Sequence, residues 1–199
     1  RFICALAAQC FNNEYVYSIS IKENKNIEQI IERCTNGEIN ETYISLLACY
    51  FPLYKLIERI PSLNLIKSEN IYFKEIIKLQ ILEPLKEITL SKEIKKIGSI
   101  NNNISKKVKL QYEENPYPRW VQGNPHKKIN LSAIQLINSE IKPNSIRSNL
   151  SLNPLNILIA GCGTGLQILI CQKYKNAKIT AIDLSSSSLA YAQRKINEL

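Results

Sequence analysis

Residues 156–165 read Asn-Ile-Leu-Ile-Ala-Gly-Cys-Gly-Thr-Gly, and this stretch decides the fold of the second half of the chain. Its first five residues form an apolar run typical of a strand that is buried on both faces. The three glycines that follow allow a tight turn and a close approach of a ligand to the backbone. Residues 166–175 then predict a helix and residues 178–182 a second buried strand. The order strand, helix, strand predicts a parallel pair with a right-handed crossover.

Asp183 follows the second predicted strand, and the serine run 185–188 predicts the N-cap of a last helix. A carboxylate at the end of that strand can accept hydrogen bonds from the ribose hydroxyls of a nucleotide-type ligand. A dinucleotide fingerprint needs a third glycine one position later, where this chain has Leu166. A nicotinamide-dependent oxidoreductase is therefore the less favoured alternative.

The first half of the chain shows helical spacing of its apolar residues, for example over 27–34 and 44–51. Gly37 predicts a helix end, whereas Asn40 and Ser68 predict helix starts, and prolines 52, 61 and 84 divide the region into short helices. The polar run 98–103 breaks the pattern. We therefore predict an all-helical region over residues 1–103, which resembles the end of a helical-repeat array, and an α/β region over 104–199.

The α/β region opens with two helices and an extended segment before its first strand. A helix is predicted over about 105–114. The prolines of the next residues, 115–120, then forbid helix. A further helix, capped by Asn130, is predicted over 131–141.

Composition excludes several classes of protein. The 199 residues carry a net charge of +9, but the basic excess is spread over both halves, so nucleic-acid binding is disfavoured. Lys, Glu and Asn interrupt every apolar run, which argues against a membrane span. The six cysteines form no C-x-x-C pair and His126 is the single histidine, so no metal site is expected. We expect a cytoplasmic protein and, because the sequence starts at Arg1 without any methionine, a fragment.

Three segments carry a resemblance to a known family: residues 9–16, residues 112–120 (Tyr-Glu-Glu-Asn-Pro-Tyr-Pro-Arg-Trp) and residues 157–165 with the glycine turn. Together they are similar to class I S-adenosylmethionine-dependent methyltransferases, in particular a bacterial group with a helical, often tetratricopeptide-type, region before the catalytic domain. The resemblance implies a doubly wound parallel sheet of Rossmann-like type, of which this chain would hold only the first part. Ile159 departs from the family, where many members carry an acid.

The resemblance also implies S-adenosyl-L-methionine as cofactor and a set of binding residues. The backbones of Gly161 and Gly163 would meet its methionine end, Gly165 would start the helix, Asp183 would bind the ribose and Leu184 would lie against adenine. The methyl acceptor is unknown and no catalytic residue is assigned.

The segment before the first strand carries two interpretations. Tyr112, Tyr117, Arg119 and Trp120 either form a lid over the cofactor or substrate, or belong to a proline-stiffened linker that packs its aromatic rings on the sheet.

Two other candidates are expected to have no catalytic role. His126 is expected to lie in an exposed loop, and Cys162 is expected to be a packing residue. The rival function is a non-catalytic protein whose helical region binds a protein partner.

Overall fold

The computed structural model describes residues 1–123, 132–143, 145–147 and 155–199. The chain divides into two compact units, Arg1–Lys86 and Glu87–Leu199. This division lies before the boundary predicted at 103/104. Glu87, the first residue of the second unit, makes an ion pair with Arg194 near the end of the chain.

The first unit is built from short helices around one apolar core. Its helices are α1 (Phe2–Asn12), α2 (Ile21–Thr35), α3 (Glu41–Leu47), α4 (Leu53–Leu56) and α5 (Ile71–Ile77). The next helix, α6 (Glu83–Glu93), begins in the first unit and ends in the second. A 3-10 turn covers Pro61–Leu65, and a π-helical turn, Lys78–Leu82, joins α5 to α6. Side chains such as Ile31, Ile44, Leu53 and Phe73 are fully buried in this core.

Local capping signals explain most helix starts in the first unit. The side chain of Asn40 accepts a hydrogen bond from the Tyr43 amide, as predicted, and Gly37 follows α2 with a positive φ of 98°. The predicted start at Ser68 is wrong: Asn70 caps α5, and the Ser68 hydroxyl instead accepts from the Asn70 amide. Asn70 sits one residue before the helix, where its side chain reaches the Tyr72 amide.

Among its described residues, the second unit holds a two-stranded parallel sheet and four further helices. These are α7 (Asn103–Glu114), α8 (Ala133–Glu140), β1 (Leu155–Ala160), α9 (Leu166–Cys171), β2 (Ala177–Ile182) and α10 (Ser186–Asn197). The strands pair in register from Leu155 opposite Ala177 to Ala160 opposite Ile182. The predicted parallel pair is therefore confirmed, and the described structure is α/β, with helices before the sheet.

Three details of the second unit differ from the sequence-based expectations. In both strands half-buried residues alternate with exposed ones, so the described strands are not buried on both faces. Helix α9 ends at Cys171, earlier than expected. Helix α8 is capped by Ser132, while the predicted cap Asn130 and the residue His126 lie outside the described residues.

Candidate functional site

The glycine turn continues directly from the β1–β2 ladder. The amides of Gly161 and Cys162 both donate to the Ile182 carbonyl, at 2.8 and 3.1 Å, and the Gly165 amide donates to Cys162 at 2.9 Å. Gly161, Gly163 and Gly165 have positive φ values of 69°, 51° and 89°. An L side chain rarely adopts this backbone conformation, so the turn favours glycine at all three positions.

The three glycines face different surroundings. A Cβ on Gly161 would have no heavy atom within 4 Å, and one on Gly163 would lie 3.8 Å from the Tyr117 carbonyl oxygen. A Cβ on Gly165 would lie only 2.6 Å from the Cβ of Ala192 in α10. Gly165 therefore serves the packing of the turn on α10, whereas Gly161 leaves the turn open on its own side.

Asp183 binds the glycine turn to the start of α10. Its Oδ2 accepts from the Gly163 amide at 2.8 Å and its Oδ1 from the Ser185 amide at 2.9 Å. Each carboxylate oxygen can accept a second hydrogen bond, so two lone pairs remain for a ligand. Asp183, the residue that follows β2, thus supplies a polar anchor for the turn.

Glu113 is a site residue that sequence reasoning missed. Its Oε1 accepts from the amide and the hydroxyl of Ser186, at 2.9 and 2.7 Å. Its Oε2 accepts from the same two groups of Ser187, at 2.9 and 2.6 Å. Burial alone would raise the pKa of Glu113, but these four hydrogen bonds outweigh it and lower the pKa to about 2. The partners are more than seventy residues apart in sequence, so no local pattern could have identified the contact.

Trp120 lies beneath the turn. Its ring is buried with Leu169 and Tyr191, in an edge-to-face contact with Tyr191 at 6.1 Å between centroids. The indole N–H donates to the Thr164 carbonyl at 2.8 Å, and the Thr164 hydroxyl donates to the Pro118 carbonyl at 2.7 Å. The segment before the first strand is therefore attached to the glycine turn by two hydrogen bonds.

The other predicted residues lie at the surface of the second unit. The side chains of Tyr112, Tyr117 and Leu184 are exposed, Tyr117 by 71%, and Arg119 is half-buried. The structure thus brings the Tyr117 backbone and Trp120 to the turn.

Cys162 is buried in the turn. Burial, helped by the nearby Asp183 charge, raises the pKa of its thiol to about 11. The thiol therefore stays protonated near neutral pH, which is the wrong state for a nucleophile.

The described residues hold neither a metal-ligand cluster nor a membrane-spanning helix. Over residues 1–123, 132–143, 145–147 and 155–199, no group of three His, Cys, Asp or Glu side chains is arranged to hold a metal ion. Within the same ranges, no helix is long and apolar enough to cross a membrane.

The chain has local similarity to a known methyltransferase. Over 56 residues it is 43% identical to the malonyl-[acyl-carrier protein] O-methyltransferase of Priestia megaterium (strain DSM 319 / IMG 1521). The matched stretch is 28% of this chain and spans about a fifth (20%) of the length of that relative. No protein-family model matches the chain, and no solved structure gives a significant match. The similarity is therefore to part of a methyltransferase.

Proposed function

We propose that the protein containing this chain is an S-adenosyl-L-methionine-dependent methyltransferase, with the glycine turn and Asp183 as part of its cofactor site. The observation that carries the proposal is the open glycine turn at the carboxyl ends of two parallel strands, fixed by Asp183. In open α/β sheets, ligands bind in the crevice outside these strand ends. The local identity to a methyltransferase favours this cofactor over a dinucleotide.

The residues present fit such a cofactor. The empty space beside Gly161 gives a ligand access to the backbone of the turn, as the methionine end would require. Each Asp183 oxygen keeps one lone pair that can accept a hydrogen bond from a ribose hydroxyl. Leu184, next in sequence and exposed, provides apolar surface for adenine. The Gly163 amide already donates to Asp183. Gly163 therefore contributes through the conformation of the turn and by orienting Asp183.

The cofactor, when bound, supplies an electrophilic methyl group on a sulfonium sulfur. The residues of the chain then bind and orient it, because alignment of two reactants can supply on the order of 7–11 kcal/mol of the barrier reduction. No described side chain needs to act as a general base in this proposal. Cys162 contributes only packing, since its thiol is buried and protonated.

For the segment before the first strand, we propose that Trp120 is an anchor and that Tyr117 borders the turn at Gly163. The indole N–H contact with Thr164 and the Tyr117 carbonyl beside Gly163 support this division of roles. Trp120→Ala should weaken cofactor binding, and unchanged affinity in a folded variant would exclude any role of Trp120 in the site.

Calorimetric titration with S-adenosylhomocysteine tests the proposed function. Binding by the wild-type protein that Asp183→Ala abolishes, with no heat from NAD, would support the cofactor site. Absence of binding by a folded protein would favour the rival, a non-catalytic protein that binds a partner through its helical unit. Binding of NAD instead would favour the oxidoreductase.

A further inference from the structure

The first turn of α10 has every backbone donor engaged. The amides of Ser186 and Ser187 donate to Glu113, the Ser185 amide to Asp183, and the Ser188 amide to the Ser185 hydroxyl at 3.0 Å. The first amides of a helix have no partner within the helix, so these acceptors determine where the helix begins. The Glu113 carboxylate also lies at the positive end of the helix dipole, where a negative charge is stabilising.

Ser185 connects this helix start to Asp183. Its hydroxyl donates to the Tyr112 carbonyl at 3.0 Å, next to Glu113 in sequence, while its amide holds one Asp183 oxygen. The other Asp183 oxygen is held by Gly163. The end of α7, the start of α10, Asp183 and the glycine turn therefore form one continuous set of hydrogen bonds.

We propose that Glu113 is a positioning residue of the candidate cofactor site, which fixes the first turn of α10 and through it the orientation of Asp183 and the Gly163 amide. The effect of Glu113 on ligand binding rests on the proposed function, whereas its effect on Asp183 and the Gly163 amide does not. Because the hydrogen bonds from Ser187 and Ser186 outweigh the effect of burial and lower the pKa of Glu113, the side chain is a carboxylate near neutral pH.

Glu113→Gln is the sharpest test, because the amide offers one acceptor oxygen where the carboxylate offers two. Its NH₂ group must then face the amide of Ser186 or Ser187. We expect amide hydrogen exchange to become about tenfold faster or more at Ser185 to Ser187 and at Gly163, as for a local opening, and to stay unchanged across β2. S-adenosylhomocysteine should bind about tenfold more weakly, the loss expected for one charge-assisted hydrogen bond. Glu93→Gln, which removes the same charge from an exposed position on α6, should change neither quantity.

The outcomes separate the two proposals. Faster exchange confined to Ser186 and Ser187 would reduce Glu113 to a helix cap and overturn the positioning role, as would faster exchange throughout the second unit. Unchanged ligand affinity beside altered Gly163 exchange would overturn the link to binding. If the wild type binds no S-adenosylhomocysteine while exchange changes as expected, the proposed function fails and the positioning of Asp183 stands. If Glu113→Gln does not fold, the pair Ser186→Ala and Ser187→Ala, which keeps the charge and both amides, is measured by the same criteria.

Discussion

Gly165 and Gly161 share a left-handed backbone but differ in the space beside them. Gly165→Ala would place a Cβ against the Cβ and Cα of Ala192, at 2.6 and 3.3 Å. We expect it to lower the free energy of unfolding by about 2–5 kcal/mol, from backbone strain and overpacking together. Gly161→Ala meets no atom, so only about 1–2 kcal/mol of strain is expected. Denaturant unfolding of both variants checks this order.

The same pair should show the opposite order in ligand binding. A methyl group at Gly161 would enter the space proposed for the cofactor. S-adenosylhomocysteine should therefore bind more weakly to Gly161→Ala than to the wild type or to Gly165→Ala. Equal stability losses for the two glycines, or full affinity in Gly161→Ala, would contradict the assignment of open space at Gly161.

The lowered pKa of Glu113 predicts that the free energy of unfolding depends on pH. Its folded pKa, about 2, lies below its ordinary value of 4.5, so folding favours the ionised form. The stabilisation is therefore complete above about pH 4.5 and is lost as the pH falls towards 2, with a magnitude of roughly 1–3 kcal/mol for this partly exposed group. Urea unfolding of the wild type and of Glu113→Gln at about pH 6 and about pH 3 should show a smaller difference at the lower pH. A difference that grows on acidification would contradict the assigned contacts.

At the scale of elements, helix α10 depends on a buried ion pair. Arg194 is 1% exposed; its Nε donates to Glu87 at 2.7 Å and its Nη1 to both Glu198 oxygens, at 2.9 and 3.1 Å. Removal of one partner of a buried pair leaves a buried charge without its counter-charge, so Arg194→Ala should cost about 3–5 kcal/mol.

An exposed ion pair provides the matched control. Arg59 also makes two hydrogen bonds to a glutamate, Glu28, but both side chains are more than half exposed. Arg59→Ala should therefore cost less than about 1 kcal/mol. Denaturant unfolding measures both, and similar losses would show that burial does not determine the contribution of Arg194.

In the first unit, the buried polar side chain of Gln80 makes hydrogen bonds to several segments of the chain. It is fully buried in the π-helical turn, where its Nε2 donates to the carbonyls of Ala7 and Ala48, at 3.0 and 2.9 Å. Its Oε1 accepts from the Leu53 amide and the Tyr15 hydroxyl. Gln80→Leu keeps the approximate volume but removes these partners, so we expect a loss of about 2–4 kcal/mol.

Gln29→Leu, on an exposed position of α2, is the control for Gln80→Leu. It should leave the free energy of unfolding within about 0.5 kcal/mol of the wild type. A neutral Gln80→Leu would mean that the Gln80 hydrogen bonds contribute no net stability to the first unit.

Local signals in the sequence predicted the elements more accurately than their environment. Asn40 and the serine run 185–188, of which Ser185 is the cap in the structure, were predictable because a cap acts on amides two or three residues away. The apolar run of β1 predicted a strand, but its half-exposed pattern depends on what packs against it. Glu113 could not be found, since its partners in α10 are brought to it only by the folded chain.

At the scale of the whole molecule, the candidate site belongs to one of the two units. The glycine turn, Asp183, Glu113 and Trp120 all lie in Glu87–Leu199, while Arg1–Lys86 has its own helical core. The turn and Asp183 were predictable because a strand, three glycines and a later acid form a contiguous pattern. The contact of Trp120 with Thr164 required the structure.

Hydrogen exchange read by mass spectrometry, with and without saturating S-adenosylhomocysteine, tests whether the glycine turn and Asp183 form a cofactor site. Ligand binding slows exchange where it engages or orders the backbone. We expect S-adenosylhomocysteine to protect peptides that cover Gly161–Gly165 and residues 183–188, and NAD to protect neither. A folded protein whose peptides in these two ranges exchange equally fast in the presence of the ligand would contradict this assignment.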